Sequence, residues 1–201
     1  MALYLGDPTA RDLNRLTLNP VPHIDPFGSV VLPALLVVTQ SPFFIAWAKP
    51  VPVNPENFTH PRRDNVLVSV VGPVSNFLLA CICTIITICL ILISPLVQNG
   101  GTYAVAGMTF LLLMFKGGVS INIFLGILNL IPVPPLDGSH ILSAILPEGL
   151  REQYRRVGFF GMIFLLLLLN WEPSAQVLYG IIRAANYPFA FIINHFDGLA
   201  R

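Results

Sequence analysis

The sequence predicts an all-α polytopic membrane protein, with about four hydrophobic helices plus a re-entrant or broken segment that carries a short extended edge. Three observations predict it. Of 201 residues, 55% are hydrophobic and 10% charged, and the mean hydropathy is +0.75, which excludes a water-soluble globule. Asp, Glu, Lys and Arg are absent from four runs: Pro26 to Ala48, Asn65 to Phe115, Gly117 to Leu136 and Val157 to Trp171. Prolines cluster inside or beside these runs, where a helix must break. The formal net charge of +1 offers no basic field for nucleic acid. The expected partner of so apolar a surface is the lipid bilayer.

Residues 1–25 are read as a cytoplasmic-side loop. Asp7, Arg11, Asp12, Arg15 and Asp25 interrupt them, which does not match the basic-then-apolar layout of a signal peptide. Residues 26–66 form the next region. Pro33 and Pro42 break its apolar run, and basic residues on both flanks (Arg11 and Arg15 before, Lys49 after) ask for the same side of the membrane. A re-entrant or broken segment answers that conflict better than a crossing. Behind it, Ala46 to Pro55 is too rich in proline for a helix, and its alternation suggests an extended edge lacking several backbone donors.

Residues 67–146 hold the core. A crossing needs roughly 20 apolar residues, so the long run from Asn65 to Phe115 is two crossings sharing the turn Gln98-Asn99-Gly100-Gly101, with spans expected at about 67–94 and 103–130. Residues 147–201 add a span at about 155–171 and a hydrophobic stretch, Val177 to Ile193, that crosses or lies in the interface. Lys49, Arg62, Arg63, Arg151, Arg155 and Arg156 mark their loops as cytoplasmic and the bare Gln98–Gly101 turn as external. Cys81, Cys83 and Cys89 match no zinc or redox spacing and are read as packing residues.

Chemistry concentrates at Asn129-Leu130-Ile131-Pro132-Val133-Pro134-Pro135-Leu136-Asp137-Gly138. Three prolines end a helix while the chain is still in apolar sequence, and irregular backbone at that depth survives only inside protein or against a watery cavity. A carboxylate there needs a cation, a proton or a metal; the alternative is a cap at the membrane rim, bonded to its own loop. Two stripes lead toward it: Gly118, Asn122, Gly126 and Asn129 on one helix, and Gly72, Asn76 and Ala80 on the other. Such stripes serve plain close packing, but if they meet they form a polar seam ending at Asp137.

Leu5-Gly6-Asp7-Pro8-Thr9-Ala10, Arg15-Leu16-Thr17-Leu18-Asn19-Pro20, His23-Ile24-Asp25-Pro26-Phe27-Gly28, Lys49-Pro50-Val51-Pro52-Val53-Asn54-Pro55, Gly72-Pro73-Val74-Ser75-Asn76 and the Asn129–Gly138 string together resemble a bacterial member of the site-2 protease family. The resemblance runs from Met1 to about Leu146. It implies an intramembrane zinc metalloendopeptidase of the cell membrane, in bacteria the inner membrane, cutting transmembrane protein substrates. By the resemblance Asp137 takes the place of the carboxylate zinc ligand, Asn76 and Asn129 help orient substrate or site, and the stretch holding Lys49, Val51 and Val53 receives substrate as an added strand.

One departure is decisive. The family's H-E-x-x-H, which supplies two histidine ligands and the glutamate that activates the zinc-bound water, is absent from these 201 residues, so none of the family's catalytic residues is matched here. In the family that helix directly precedes the block beginning Met1-Ala2-Leu3. Met1 is therefore expected to be an internal methionine of a longer product. His140, three residues after Asp137, and His23 are the possible substitute ligands. The simpler reading makes His140 a satisfied polar residue at a helix start and leaves His23 bonded within its own turn. The expected function is a site-2-protease-like endopeptidase, catalytically incomplete as given. The alternatives are a pseudoprotease that binds a single-span partner without cutting it, and an ion or proton pathway through Asp137.

Overall fold

The computed structural model describes residues 1–41, 46–98, 100–156 and 158–199. The regular elements among them are all helices, with no strand. The chain divides into two compact units, Met1–Val68 and Ser69–Arg201.

The first unit is built from short turns locked by side-chain oxygens. A 3-10 turn at Ala2–Leu5 leads into the single helical turn α1 (Thr9–Asp12). Asp7, between them, is 1% exposed. Its carboxylate accepts from the Thr9 N–H and hydroxyl, from the Asn54 N–H (2.9 Å) and from the Asn57 amide (2.8 Å). Burial works to raise its pKa, yet these bonds together hold it at about 2. One side chain thus ties the opening loop to the loop that follows the extended segment.

Asp25 starts the next helix by accepting from the Phe27 and Gly28 N–H groups, with Pro26 pre-set for the first turn. A wide π turn over Pro26–Val31 runs into α2 (Leu32–Val38). Pro26–Val38 is apolar but too short to cross a bilayer. The break expected at Pro42 lies outside the described residues.

Two helices are long and apolar enough to cross by themselves: α3 (Pro61–Val97) and α4 (Thr102–Leu130). α3 begins about six residues before the sequence suggested, so Pro73 lies well inside it. The added turns carry Arg62, Arg63 and Asp64, which hydropathy assigns to water but which a helix accommodates once the Asp64 carboxylate accepts from the His60 N–H. In the second unit, Ala80, Ile91, Val119, Ile123 and Ile193 form the buried core.

Beyond α4 come α5 (Asp137–Ile145), α6 (Glu148–Arg156), α7 (Gly158–Asn170) and α8 (Glu172–Leu199). The span expected at 155–171 is only the 13-residue α7, which passes the crossing test jointly with α8 across an 85° bend. The Ser174 hydroxyl donates to the carbonyls of Leu168 and Trp171 at that corner. Val177 to Ile193 lies wholly within α8, whose Ile193 packs into the core with Val119 and Ile123 of α4. Among the described residues, two helices and one bent pair are long and apolar enough to cross, where the sequence suggested about four.

Candidate functional site

The two small-residue stripes meet. A methyl group on Gly118 would stand 3.0 Å from the Cys83 sulfur, and one on Gly126 would stand 3.2 Å from the Phe77 ring and 3.5 Å from the Asn76 Cβ. The facing positions run in opposite chain directions, so α3 and α4 are antiparallel neighbours whose backbones approach because those positions lack side chains. Asn122 does not bond across the contact; its amide donates to the Gly118 carbonyl one turn back (2.8 Å). Asn76 and Asn129 have no hydrogen-bond partner among the described residues, so both amides are free in the seam.

At the end of that seam lies Asp137, in the first turn of α5. A methyl on Gly72 would sit 2.6 Å from its Oδ2, so the carboxylate rests on the bare face of α3. Burial pushes the Asp137 carboxyl up from the ordinary carboxylate range, and the His140 imidazole one turn along α5 opposes the shift.

The turn that delivers Asp137 is held by contacts from the following helices, while Pro132 and Pro135 stay exposed. A methyl on Gly138 would stand 2.3 Å from the Leu130 carbonyl, so α5 can start directly against the end of α4 only with glycine there. Gly161 of α7 covers the Pro134 carbonyl in the same way, and the Tyr154 hydroxyl of α6 donates to the Pro132 carbonyl (2.8 Å). Three helices thus brace a proline turn that has few donors of its own.

In the first unit, the segment from Ala46 to Asn54 forms no ladder, but its pairing is that of an extended chain. Trp47 N–H donates to the Gly28 carbonyl (3.2 Å), and its carbonyl accepts from the Ser29 hydroxyl (2.7 Å). Two residues on, Lys49 N–H donates to the His23 carbonyl (2.8 Å), and its carbonyl accepts from Arg15 Nη2 (2.7 Å). Odd-numbered residues therefore turn both backbone groups to one side, with period two. Pro50 and Pro52 fall on the other side, where their missing N–H groups blunt that edge. Val51 and Val53 are partly exposed, and no hydrogen bond reaches their backbone among the described residues.

The packing of this segment explains several motif residues that had no role at the level of sequence. Gly28 is bare because a methyl there would stand 2.3 Å from the Trp47 indole. Arg15 is 8% exposed, with its Nε unpartnered, and reaches both Lys49 and the His23 ring. The His23 ring nitrogens lie 3.4 Å from Arg15 Nη2 and 3.2 Å from the Thr17 carbonyl. Pairs such as Asp7 with Asn54 and Asn57, or Arg15 with Lys49, join residues far apart in sequence. The Asp-x-Thr turn at Asp7 was the one local signal of this locking.

No group of three or more His, Cys, Asp or Glu capable of holding a metal occurs among the described residues. Asp137 is a single donor, and the residues present do not by themselves fit a zinc ion, which takes three or four protein ligands.

The profile of Peptidase family M50 matches residues 91–169, which include the second half of the seam, the proline turn and Asp137. The chain is 36% identical over 184 residues to "Putative zinc metalloprotease YwhC" of Bacillus subtilis (strain 168), covering 92% of this chain and 78% of that protein. No solved structure matches it. With two helices long and apolar enough to cross among the described residues, this profile and this relative, the chain is a multi-pass membrane protein that belongs to Peptidase family M50, the site-2 proteases.

Proposed function

We propose that this chain carries the carboxylate arm and the substrate-receiving edge of an intramembrane endopeptidase that cuts transmembrane proteins in the cell membrane. The observation that carries the reading is Asp137 resting on Gly72, at the end of a seam that also holds the free amides of Asn76 and Asn129. In this reading Asp137 is a metal ligand, and Asn76 and Asn129 orient the substrate's peptide groups. A substrate strand pairs with the Val51 and Val53 backbone, the side of the segment on which proline leaves the N–H groups intact. Lys49 anchors the same segment through its backbone.

Zinc belongs to this reading only together with an H-E-x-x-H, which these 201 residues do not contain, so the chain alone is expected to be inactive. The test is cleavage of a single-span reporter in vesicles, by the 201-residue chain and by the same chain supplied with an H-E-x-x-H helix at its N-terminal side. Cleavage by the supplied form alone supports the proposal. If the supplied form binds the reporter and leaves it whole, a pseudoprotease role replaces it.

A further inference from the structure

Lys116 is the middle residue of the 29-residue α4, with the charge-free runs Asn65–Phe115 and Gly117–Leu136 on either side of it. A charged group at such a depth is expensive, and where it persists it faces a polar partner or a cavity. Here it faces a cavity of about 150 Å³ between α4 and α8, lined by Lys116 and Ser120 from one helix and Asn186 and Asn194 from the other, with the buried Val119 and Ile193 beside them. Lys116 makes no hydrogen bond or ion pair among the described residues. Asn186 donates to the Ile182 carbonyl (3.3 Å), and Asn194 and Ser120 are exposed at the cavity's mouth. A cation and two amides thus line one small space, with Ser120 and Asn194 exposed beside it.

We propose that this cavity binds the carboxylate of an Asp or Glu placed near the middle of another protein's membrane-spanning helix. The charge fits such an occupant, and so does the depth. Phospholipid headgroups lie about 15 Å from the middle of the hydrocarbon layer, too far to occupy this position. A second copy of this chain offers no acid from residues 65–136, and Asp197, farther along α8, already has an interaction of its own. The inference rests on the chain lying in a membrane and is independent of its peptidase activity.

The test uses the 201-residue chain, labelled and reconstituted in phosphatidylcholine vesicles, with synthetic Leu/Ala helices as probes. These carry Asp, Asn or Leu at the midpoint, and association is read by energy transfer. The Asp helix is expected to bind about tenfold more tightly than the Leu or Asn helix. Lys116→Met should abolish that preference, Lys116→Arg should keep it, and Asn194→Leu should weaken it. Circular dichroism checks that each variant is folded, and the Arg and Asn194 variants decide the matter if Lys116→Met is not. Equal binding of the Asp and Leu helices, an Asn helix that binds as tightly as Asp, or an unchanged preference in Lys116→Met would each overturn the proposal. So would loss of the preference when phosphatidylglycerol replaces part of the lipid, since a lipid phosphate would then be the occupant.

Discussion

Gly72 and Asp137 form the smallest unit of the site, and a single methyl group tests it. Gly72→Ala places a carbon 2.6 Å from Oδ2, so the carboxylate must swing off the face of α3. Reporter cleavage by the H-E-x-x-H-supplied enzyme should fall at least about tenfold, a few tenths of an ångström being costly when groups must be held in place, while helix content by circular dichroism stays unchanged. Asp7 makes a separate claim, about stability. Its folded pKa of about 2 lies below the ordinary 3.8, so its contribution is complete above pH 3.8, declines as pH falls from there and is gone below about 2. Asp7→Asn puts a donor where an acceptor is needed and should cost about 2 kcal/mol near neutral pH. Thermal unfolding in detergent should show the gap between variant and parent closing toward pH 2. The placement of Asp137 just after a broken helix was legible from sequence because its prolines and apolar flanks are adjacent to it. The role of Asp7 was not, because its partners Asn54 and Asn57 come 47 and 50 residues later.

Among elements, the seam and the extended segment were readable and the bent pair was not. Spacing of four on a helix fixes a face, so Gly72, Asn76 and Ala80 could be expected to meet the Gly118–Asn129 stripe before any contact was known. Alternating prolines likewise fix which edge of residues 46–54 keeps its N–H groups. An uncharged run, by contrast, reads the same whether it is straight or folded at an 85° corner, and the corner at Trp171 depends on the Ser174 hydroxyl and the start of α8 at Glu172. Lys116 was visible as the lone charge between two uncharged runs, but its meaning required α8 to be placed beside it. The extended segment carries its own prediction. Arg15→Ala removes the bond to the Lys49 carbonyl and should raise KM for a single-span reporter by about tenfold with a smaller change in kcat, because it loosens a binding edge and leaves Asp137 untouched.

At the scale of the molecule, the basic loops and the bare turn set the orientation. A cysteine replacing Gln98, in a chain with Cys81, Cys83 and Cys89 changed to Ala, should react with an impermeant thiol reagent from outside intact cells, and one replacing Arg62 only after lysis. The reverse pattern would invert the fold in the membrane. In the proposed function the carboxylate that follows the proline turn is a ligand of the family's metal, a role read out by zinc content together with turnover in the H-E-x-x-H-supplied enzyme. Asp137→Ala should lose bound zinc and reporter cleavage together, with the helices intact. A folded Asp137→Ala enzyme that keeps its zinc and continues to cut would contradict it.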